Sequence, residues 1–460
     1  MQTRWLLAAA SLALMAVPAA RADDRVIEFL HVLQEHGYGD LAIYYLNLTK
    51  QSNMMPAELA DVFDLEMANS LRAAAKGAYN AKEAARLTAE AKKHLDKFFQ
   101  EKPDHPEASA ALVSWGMFSM DQAMRWLQQA EAAPVAAKER YLCDARSGFH
   151  EAQARFTQAV ERLAARIAAT PTAAPGRNNA GPNLHARLVA DWLNARMQVG
   201  QADYHIAKTY ADVNSPSRRD WLCKAAKIFD DVFQRNRPSP TTGLYAHIWD
   251  GRCAEELGDL DRAKDIYEEI LGDMPDPPGP RTAPDAFKRQ LQDIAGMEPL
   301  LTQAAYYRLM LEKKNRVEFI KQARGWLDTY GEKRLRMPGT GRTITIFQYT
   351  DGYQGVAIEL ARMELAVAAD PSVDKNRQEK LRADAIKTLQ EASKVPSYYQ
   401  REIILLLRKQ EGKGADVTES DVAQAATFAE AKTLGEEAQR QHRWEVAKKA
   451  YEKALELAGE

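Results

Sequence analysis

The chain has 460 residues, with 62 Lys or Arg and 64 Asp or Glu, and a formal net charge of −2. Nucleic-acid-binding proteins usually carry a basic surplus or a basic stripe, so this balance argues against a nucleic-acid partner. Three cysteines in a chain of this length do not make a disulfide framework. Cys223 and Cys253 fall on helices that we expect to be adjacent, which leaves open whether they pair.

Residues 1–22 have the pattern of an export signal peptide. Arg4 precedes an apolar run at 5–17, and Ala20-Arg21-Ala22 supplies the small residues of a cleavage site. This run is shorter than the roughly 20 apolar residues that a bilayer span needs, and no later apolar run exceeds the five residues of 403–407. We therefore expect an exported, periplasmic or cell-envelope protein whose mature chain has no transmembrane segment.

The following residues are rich in Ala, Leu, Glu, Lys and Arg, with apolar residues three and four positions apart, which is typical of helices. We predict an all-α protein with a first array of helical hairpins at 23–169. Residues 170–182 contain three prolines and two glycines and predict a linker or a surface loop. A second helical array is expected at 183–330.

The remaining third of the chain contains one region that does not have a helical pattern. Residues 331–353 include a β-like run at 343–349 and predict an extended or hairpin-like insertion. Long loops of this kind are often functional. Helical hairpins are expected again at 354–410, and a final helical repeat at 418–460.

Two segments, 244–277 and the C-terminal one, share an internal spacing. In both, an alanine lies twelve residues after a glycine, and a tyrosine lies four residues after that alanine. These residues are Gly251, Ala263 and Tyr267 in the first segment, and Gly435, Ala447 and Tyr451 in the second. The pattern resembles the tetratricopeptide (TPR) repeat, a helical hairpin of roughly 34 residues, and the whole chain resembles exported bacterial TPR-containing proteins. Because one hairpin cannot bury its own apolar face, the resemblance implies an irregular α-solenoid of TPR-like hairpins.

In TPR proteins the first helix of each hairpin lines the concave face and contacts the partner. The resemblance therefore implies candidate partner contacts at Tyr245, Ile248, Arg252, Glu255, Lys432, Glu436 and Gln439. One TPR class clamps the C-terminal carboxylate of its partner with a Lys and an Asn four residues apart. That pair is missing at the equivalent positions, so we do not expect a carboxylate clamp.

The sequence contains no recognisable motif for catalysis, cofactor binding or metal binding. It contains no P-loop and no H-E-x-x-H pattern, and no two histidines have the helical spacing of a metal site. Adjacent carboxylates such as Glu255-Glu256 and Glu436-Glu437 are interpreted as solvated helix faces. We expect no catalytic, cofactor-binding or metal-binding residues.

The predicted function is that of an exported TPR scaffold that binds proteins or peptides on a concave face and has no catalysis of its own. The alternative is an all-helical α/α-toroid enzyme acting on polysaccharide in the cell envelope. Such an enzyme would need carboxylates, or a His/Tyr pair, at loop ends around a closed ring. The spacing of the Gly, Ala and Tyr residues favours the open solenoid.

Overall fold

Helices make up nearly all of the computed structural model, which describes residues 22–35, 37–78, 81–170, 184–235, 240–272, 297–331, 335–336, 343–344, 347–395, 397–414 and 416–459. The all-α class predicted from the sequence is confirmed for these residues. The chain divides into an N-terminal unit, Val17–Gly258, and a C-terminal unit, Asp259–Glu460. The predicted signal peptide lies outside the described residues except for Ala22. The loop predicted at 170–182 lies outside them except for Thr170.

The described part of the N-terminal unit contains ten helices. They are α1 (Ala22–Glu35), α2 (Gly39–Gln51), α3 (Ala57–Asp61), α4 (Phe63–Gly77), α5 (Ala81–Glu101), α6 (Ala108–Ala132), α7 (Val135–Ala169), α8 (Leu184–Lys208), α9 (Pro216–Arg235) and α10 (Pro240–Leu257). From α4 onward each helix packs against the next along the chain, and α2 packs against α4. This neighbour-to-neighbour packing is that of an α-solenoid.

The turn between α1 and α2 illustrates how glycine shapes the first hairpin. Gly37 has a φ of +76°, a left-handed conformation that favours glycine. A Cβ on Gly39 would lie 2.0 Å from the backbone nitrogen of Ala74, because the start of α2 approaches the backbone of α4 directly. The two glycines therefore serve the turn and the close helix contact respectively.

The described part of the C-terminal unit contains nine helices and one pair of very short strands. The helices are α11 (Leu260–Leu271), α12 (Glu298–Leu311), α13 (Arg316–Gly331), α14 (Asp351–Ala368), α15 (Lys375–Ala392), α16 (Gln400–Gln410), α17 (Glu419–Gln424), α18 (Phe428–Arg440) and α19 (Trp444–Gly459). The strands are β1 (Leu335–Arg336) and β2 (Thr343–Ile344), which pair antiparallel with Leu335 opposite Ile344. Here too, helices pack on their neighbours, as α12 with α14 and α14 with α15 do.

The β-like run predicted at 343–349 is only partly a strand. Residues Phe347–Tyr349 form a 3₁₀ turn instead. Phe347 is fully buried and its ring lies 5.1 Å from that of Tyr330. This buried contact with α13 belongs to the turn and not to a strand.

The C-terminal hairpin, α18 with α19, packs as the TPR-like spacing predicts. A Cβ on Gly435 would lie 2.8 Å from the Tyr451 ring, so only glycine leaves room for that ring. The Tyr451 hydroxyl donates a hydrogen bond to Gln439 Oε1 at 2.8 Å. Ala447 is buried in the same contact region.

The other TPR-like segment is divided by the boundary between the two units, which falls between Gly258 and Asp259. Gly258 has a φ of +83°, and the Asp259 carboxylate accepts a hydrogen bond from Arg262 N at the start of α11. Tyr267 is fully buried, as a packing position requires. The predicted extent of this repeat stays a prediction.

A buried arginine joins α16 to the segment that leads into the C-terminal hairpin. Arg408 is 6 % exposed and pairs with Asp421 at 3.0 Å, while it also donates to the carbonyls of Gly414 and Asp416. Burial raises the pKa of Asp421, but the hydrogen bonds from Arg408 and Thr418 outweigh it and lower the pKa to about 2. The loop before α17 is thus held by a charged pair.

Candidate functional site

The residues predicted to contact a partner on α10 lie in different environments. Ile248 is 1 % exposed, so its side chain belongs to the core, and this part of the predicted surface is corrected. The error arises because carrying over a repeat position does not reveal how deeply the helix is buried. Tyr245 is half-buried, whereas Arg252 donates to Glu255 at 2.5 Å and reaches the Tyr204 hydroxyl at 3.4 Å.

Glu256, next to these residues, is the centre of a charge network between α8, α9 and α10. Its carboxylate accepts hydrogen bonds from Lys208 Nζ at 2.5 Å and from the guanidinium of Arg218. Burial raises the pKa of Glu256, but Lys208 and the charges of Arg218 and Arg252 outweigh it, so the pKa is lowered. The interpretation of Glu255-Glu256 as a solvated face is therefore wrong, because these side chains are only 16 % and 15 % exposed.

The predicted contacts on α18 remain largely at the surface. Lys432 and Glu436 are both exposed and form an i, i+4 pair at 3.7 Å. Gln439 accepts the Tyr451 hydrogen bond and is therefore already engaged. Glu437 is 12 % exposed and pairs with Arg401 at 2.7 Å, so only one member of the Glu436-Glu437 pair is solvated.

A surface that the sequence analysis did not select lies on the first hairpin. Phe29 and Val32 on α1, and Leu41, Tyr44 and Leu48 on α2, are between 42 % and 65 % exposed. We call this set the N-terminal apolar face. Its signal was present in the sequence, since α2 is apolar almost all round, which is typical of a helix covered on both sides.

A cavity of about 520 Å³ lies in the C-terminal unit. It is formed by the second half of α13, the 3₁₀ turn, the first half of α14 and the end of α15. Its polar lining includes Arg324, Asp328, Tyr353, Gln354, Glu391 and Lys394. The sequence analysis did not predict this cavity, because its lining residues come from separate helices and form no local motif.

Tyr353 lines the cavity, and its ring packs against aromatic residues that lie behind the lining. The Tyr353 ring lies 5.6 Å from the Trp326 ring, which stacks on Tyr330 at 4.7 Å. The Tyr353 hydroxyl donates to the carbonyl of Leu327 at 3.3 Å. Burial, together with the charges of Glu391 and Asp328, raises the pKa of Tyr353 to about 12, so the phenol stays protonated at neutral pH.

The inner part of the cavity is held by two side-chain amides. Gln354 is 1 % exposed and its Nε2 donates to the carbonyl of Gln348 at 2.7 Å. Gln348 in turn donates to the carbonyl of Gly331 at 2.9 Å. Gln354 Oε1 has no hydrogen-bond donor within the part of the chain that the structure describes.

Arg324 is the only arginine among the polar lining residues, and two carboxylates hold it. It donates to Asp384 at 2.7 Å and to the fully buried Glu364. Burial raises the pKa of Glu364; Arg324 opposes this rise and Asp384 adds to it, which places the pKa at about 7. The guanidinium charge is therefore already compensated inside the protein.

Comparisons with known proteins add little to this geometry. No protein-family model matches the chain, and no curated protein sequence matches it. Among solved structures the chain is similar to a circular tandem repeat protein with novel repeat topology and enhanced subunit contact surfaces. That similarity has 13 % identity and a TM-score of 0.26 over 95 % of this chain and 88 % of the other, which supports no argument about function.

Two further properties concern the described residues as a whole. None of their helices combines the length and the apolar character needed to cross a membrane. Their three cysteines are free, with Cys143 and Cys223 exposed and Cys253 buried.

Proposed function

We propose that the protein is an exported, TPR-type helical scaffold that has no catalysis of its own and binds a partner protein. The observation that carries this proposal is the N-terminal apolar face. Exposed apolar patches on a protein surface mark sites of interaction with other proteins. The exposed contacts predicted on α18, Lys432 and Glu436, offer a second surface for the same function.

The shape of the N-terminal apolar face favours an amphipathic helix as its occupant. Leu41, Tyr44 and Leu48 are spaced i, i+3 and i+7, which aligns them along one side of α2. The other side of α2, with Ala42 and Leu46, is fully buried. α2 is thus built like a helix packed between two neighbours, and its outer side presents the ridge that a further helix would meet.

A pair of charge substitutions tests this proposal. The double variant Tyr44→Glu/Leu48→Glu should lose a partner that the wild-type protein retains from envelope extract, because a carboxylate would be buried without a counter-charge. The matched control is Val135→Glu, at a single exposed apolar residue of the same unit. The bound protein is identified by mass spectrometry, and its interacting segment is mapped by cross-linking.

Three outcomes would contradict the proposal. They are retention of the partner by the double variant, loss of the partner from the Val135→Glu control, and a cross-linked segment that is not helical. If sedimentation shows that the double variant abolishes only self-association, the occupant is a second copy of this chain and not a partner helix.

Export is the second component of the proposal and has its own test. N-terminal sequencing of the protein from the extracytoplasmic fraction should begin at Asp23, after the Ala20-Arg21-Ala22 site. Recovery of the protein in the cytoplasm with residues 1–22 intact would show that these residues are not a signal peptide.

A further inference from the structure

We infer that the cavity of the C-terminal unit is a separate binding site that takes a basic side chain, the ammonium of lysine or the guanidinium of arginine, from a peptide segment. This site is independent of the N-terminal apolar face and adds a second recognition chemistry to the proposed scaffold. Three observations support it: the charges, the aromatic lining residues and the unpaired acceptor of Gln354.

The charge balance of the cavity is negative. Asp328 and Glu391 are both exposed to the cavity, and neither forms an ion pair within the described residues. Both carboxylates line the same cavity as the Tyr353 phenol. Among the described residues, Lys394 is the one lining cation without an acidic partner, since Glu364 and Asp384 hold Arg324. Two carboxylates against one ammonium favour a cationic ligand and disfavour an anion.

The aromatic lining residues suit the same ligand. Tyr353 and Tyr349 line the same cavity as Asp328 and Glu391, and Tyr349 is 60 % exposed. The face of a tyrosine ring attracts an ammonium or guanidinium within about 6 Å of its centre. The volume of about 520 Å³ is large enough for a long basic side chain and some of the adjoining backbone.

Gln354 provides the observation that is independent of charge. It lines the cavity, it is 1 % exposed, and its Oε1 lacks a donor within the described residues. Leaving a buried acceptor unpaired costs about 1–3 kcal/mol, so such groups normally find a partner. An N–H group of an entering ligand would satisfy it once the side-chain amide turns toward the cavity, because the oxygen is fully buried as it stands. A basic side chain carries several such donors and no acceptor.

Calorimetric titration of the full chain with matched short peptides tests the inference. The probe is Ac-Ala-Ala-Lys-Ala-Ala-NH2, with an arginine version and a norleucine version that keeps the side-chain length but removes the charge. We expect the lysine or arginine peptide to bind, the norleucine peptide to bind at least roughly tenfold more weakly, and added salt to weaken binding. Free 1,5-diaminopentane serves as a further probe, since equal binding would identify a free diamine as the ligand in place of a peptide.

Variants locate the binding. Asp328→Asn/Glu391→Gln should reduce the affinity for the basic peptide by roughly tenfold or more, since both charges that attract it are removed. The matched control is Glu379→Gln, an exposed carboxylate on α15 that does not line the cavity. Because the substituted side chains are at the surface, we expect the variants to fold. Circular dichroism and thermal melting check this.

The inference is overturned if neither basic peptide binds, if the norleucine peptide binds equally well, or if the double variant binds like the wild type. Binding of a neutral oligosaccharide in place of the basic peptides would also overturn it and would favour a polysaccharide ligand. None of these results bears on the Tyr44→Glu/Leu48→Glu experiment, which concerns the N-terminal unit.

Discussion

Glu256 in the N-terminal unit and Glu364 in the C-terminal unit are both largely buried carboxylates that accept hydrogen bonds from arginine, yet their pKa values move in opposite directions. Glu256 has three cations around it, Lys208, Arg218 and Arg252, and its pKa is lowered. Glu364 shares the single Arg324 with Asp384, and its pKa is raised to about 7. Burial raises the pKa of both; three cations outweigh it at Glu256, whereas the single Arg324 does not outweigh it at Glu364, where Asp384 adds to the rise.

The same helical packing thus holds one acid fully charged and another near its titration point. A carboxylate between helices costs stability when it is charged and short of cations. A carboxylate surrounded by cations instead joins the helices that supply them. Substitutions at these carboxylates and their partners test whether the number of cations is the cause.

The largest effect is expected for Glu256→Gln. This change leaves Lys208, Arg218 and Arg252 without their shared carboxylate, and Arg218 is only 6 % exposed. Removing one partner of a buried ion pair typically costs about 3–5 kcal/mol. Urea denaturation of wild type and variant near neutral pH measures the loss. A cost below about 0.5 kcal/mol, as for a surface pair, would show that the network does not hold the three helices.

The next effect is a pH dependence due to Glu364. Its pKa is 4.5 in an exposed chain and about 7 in the folded protein, so between these pH values the folded state alone binds the proton. Raising the pH through this window therefore lowers the free energy of unfolding, by on the order of 3 kcal/mol. Glu364→Gln cannot titrate, so we expect this fall to be missing from the local stability of α14, which should lie above that of wild type at higher pH.

Denaturant-dependent hydrogen exchange of the amides on α14 measures this pH dependence of the free energy of unfolding locally, in the C-terminal unit. The matched residue in the N-terminal unit is Asp203, whose pKa burial also raises to about 7, so Asp203→Asn should leave the α14 profile unchanged. Parallel pH profiles for wild type and Glu364→Gln would refute the assignment.

A smaller effect is expected for Lys208→Met, which moves Glu256 toward the situation of Glu364 by removing one cation. The lost charged hydrogen bond should cost about 1.5 kcal/mol. Because the pKa of Glu256 is lowered by its cations, its stabilising contribution is present above the ordinary value of 4.5 and is lost as the pH falls through the folded value. The difference between wild type and variant should therefore shrink on acidification, as pH-dependent urea denaturation will show. A difference that grows on acidification would contradict the cation-count explanation.

The smallest effect is expected for Glu436→Gln. Glu436 is 39 % exposed and lies 3.7 Å from Lys432, which is itself exposed. Exposed pairs of this kind contribute about 0.5 kcal/mol or less. The midpoint of urea denaturation should hardly move. A loss comparable to that of Glu256→Gln would mean that burial does not separate the two kinds of pair.

The parts of the fold that follow from local pattern were predictable from the sequence. Apolar spacing identified helices throughout the described residues, and the spacing from Gly435 to Tyr451 predicted the close contact that the structure contains. Such contacts arise within one hairpin, so neighbouring residues carry the signal.

The rest depended on contacts between distant parts of the chain. Glu256 meets Lys208 and Arg218 from two other helices, so the adjacent glutamates gave no indication of burial. Asp328 and Glu391 line one cavity although they lie on α13 and α15. Ile248 was assigned to a surface because repeat position alone does not report burial. Tertiary packing overrides local pattern at each of these positions.

The hydrogen bonds around Arg408 bear on how readily the loop before α17 opens. Next to the carbonyls that Arg408 binds, Val417 N donates to Gln441 Oε1 at 3.0 Å and Thr418 N donates to the Asp421 carboxylate at 2.7 Å. These two amides lie before the first residue of α17, yet each has a hydrogen-bond acceptor of its own, as helical amides do. Proteases cleave segments that can unfold locally. We therefore expect this connection to resist limited proteolysis, even though its sequence, rich in glycine and charge, is typical of a readily cleaved linker.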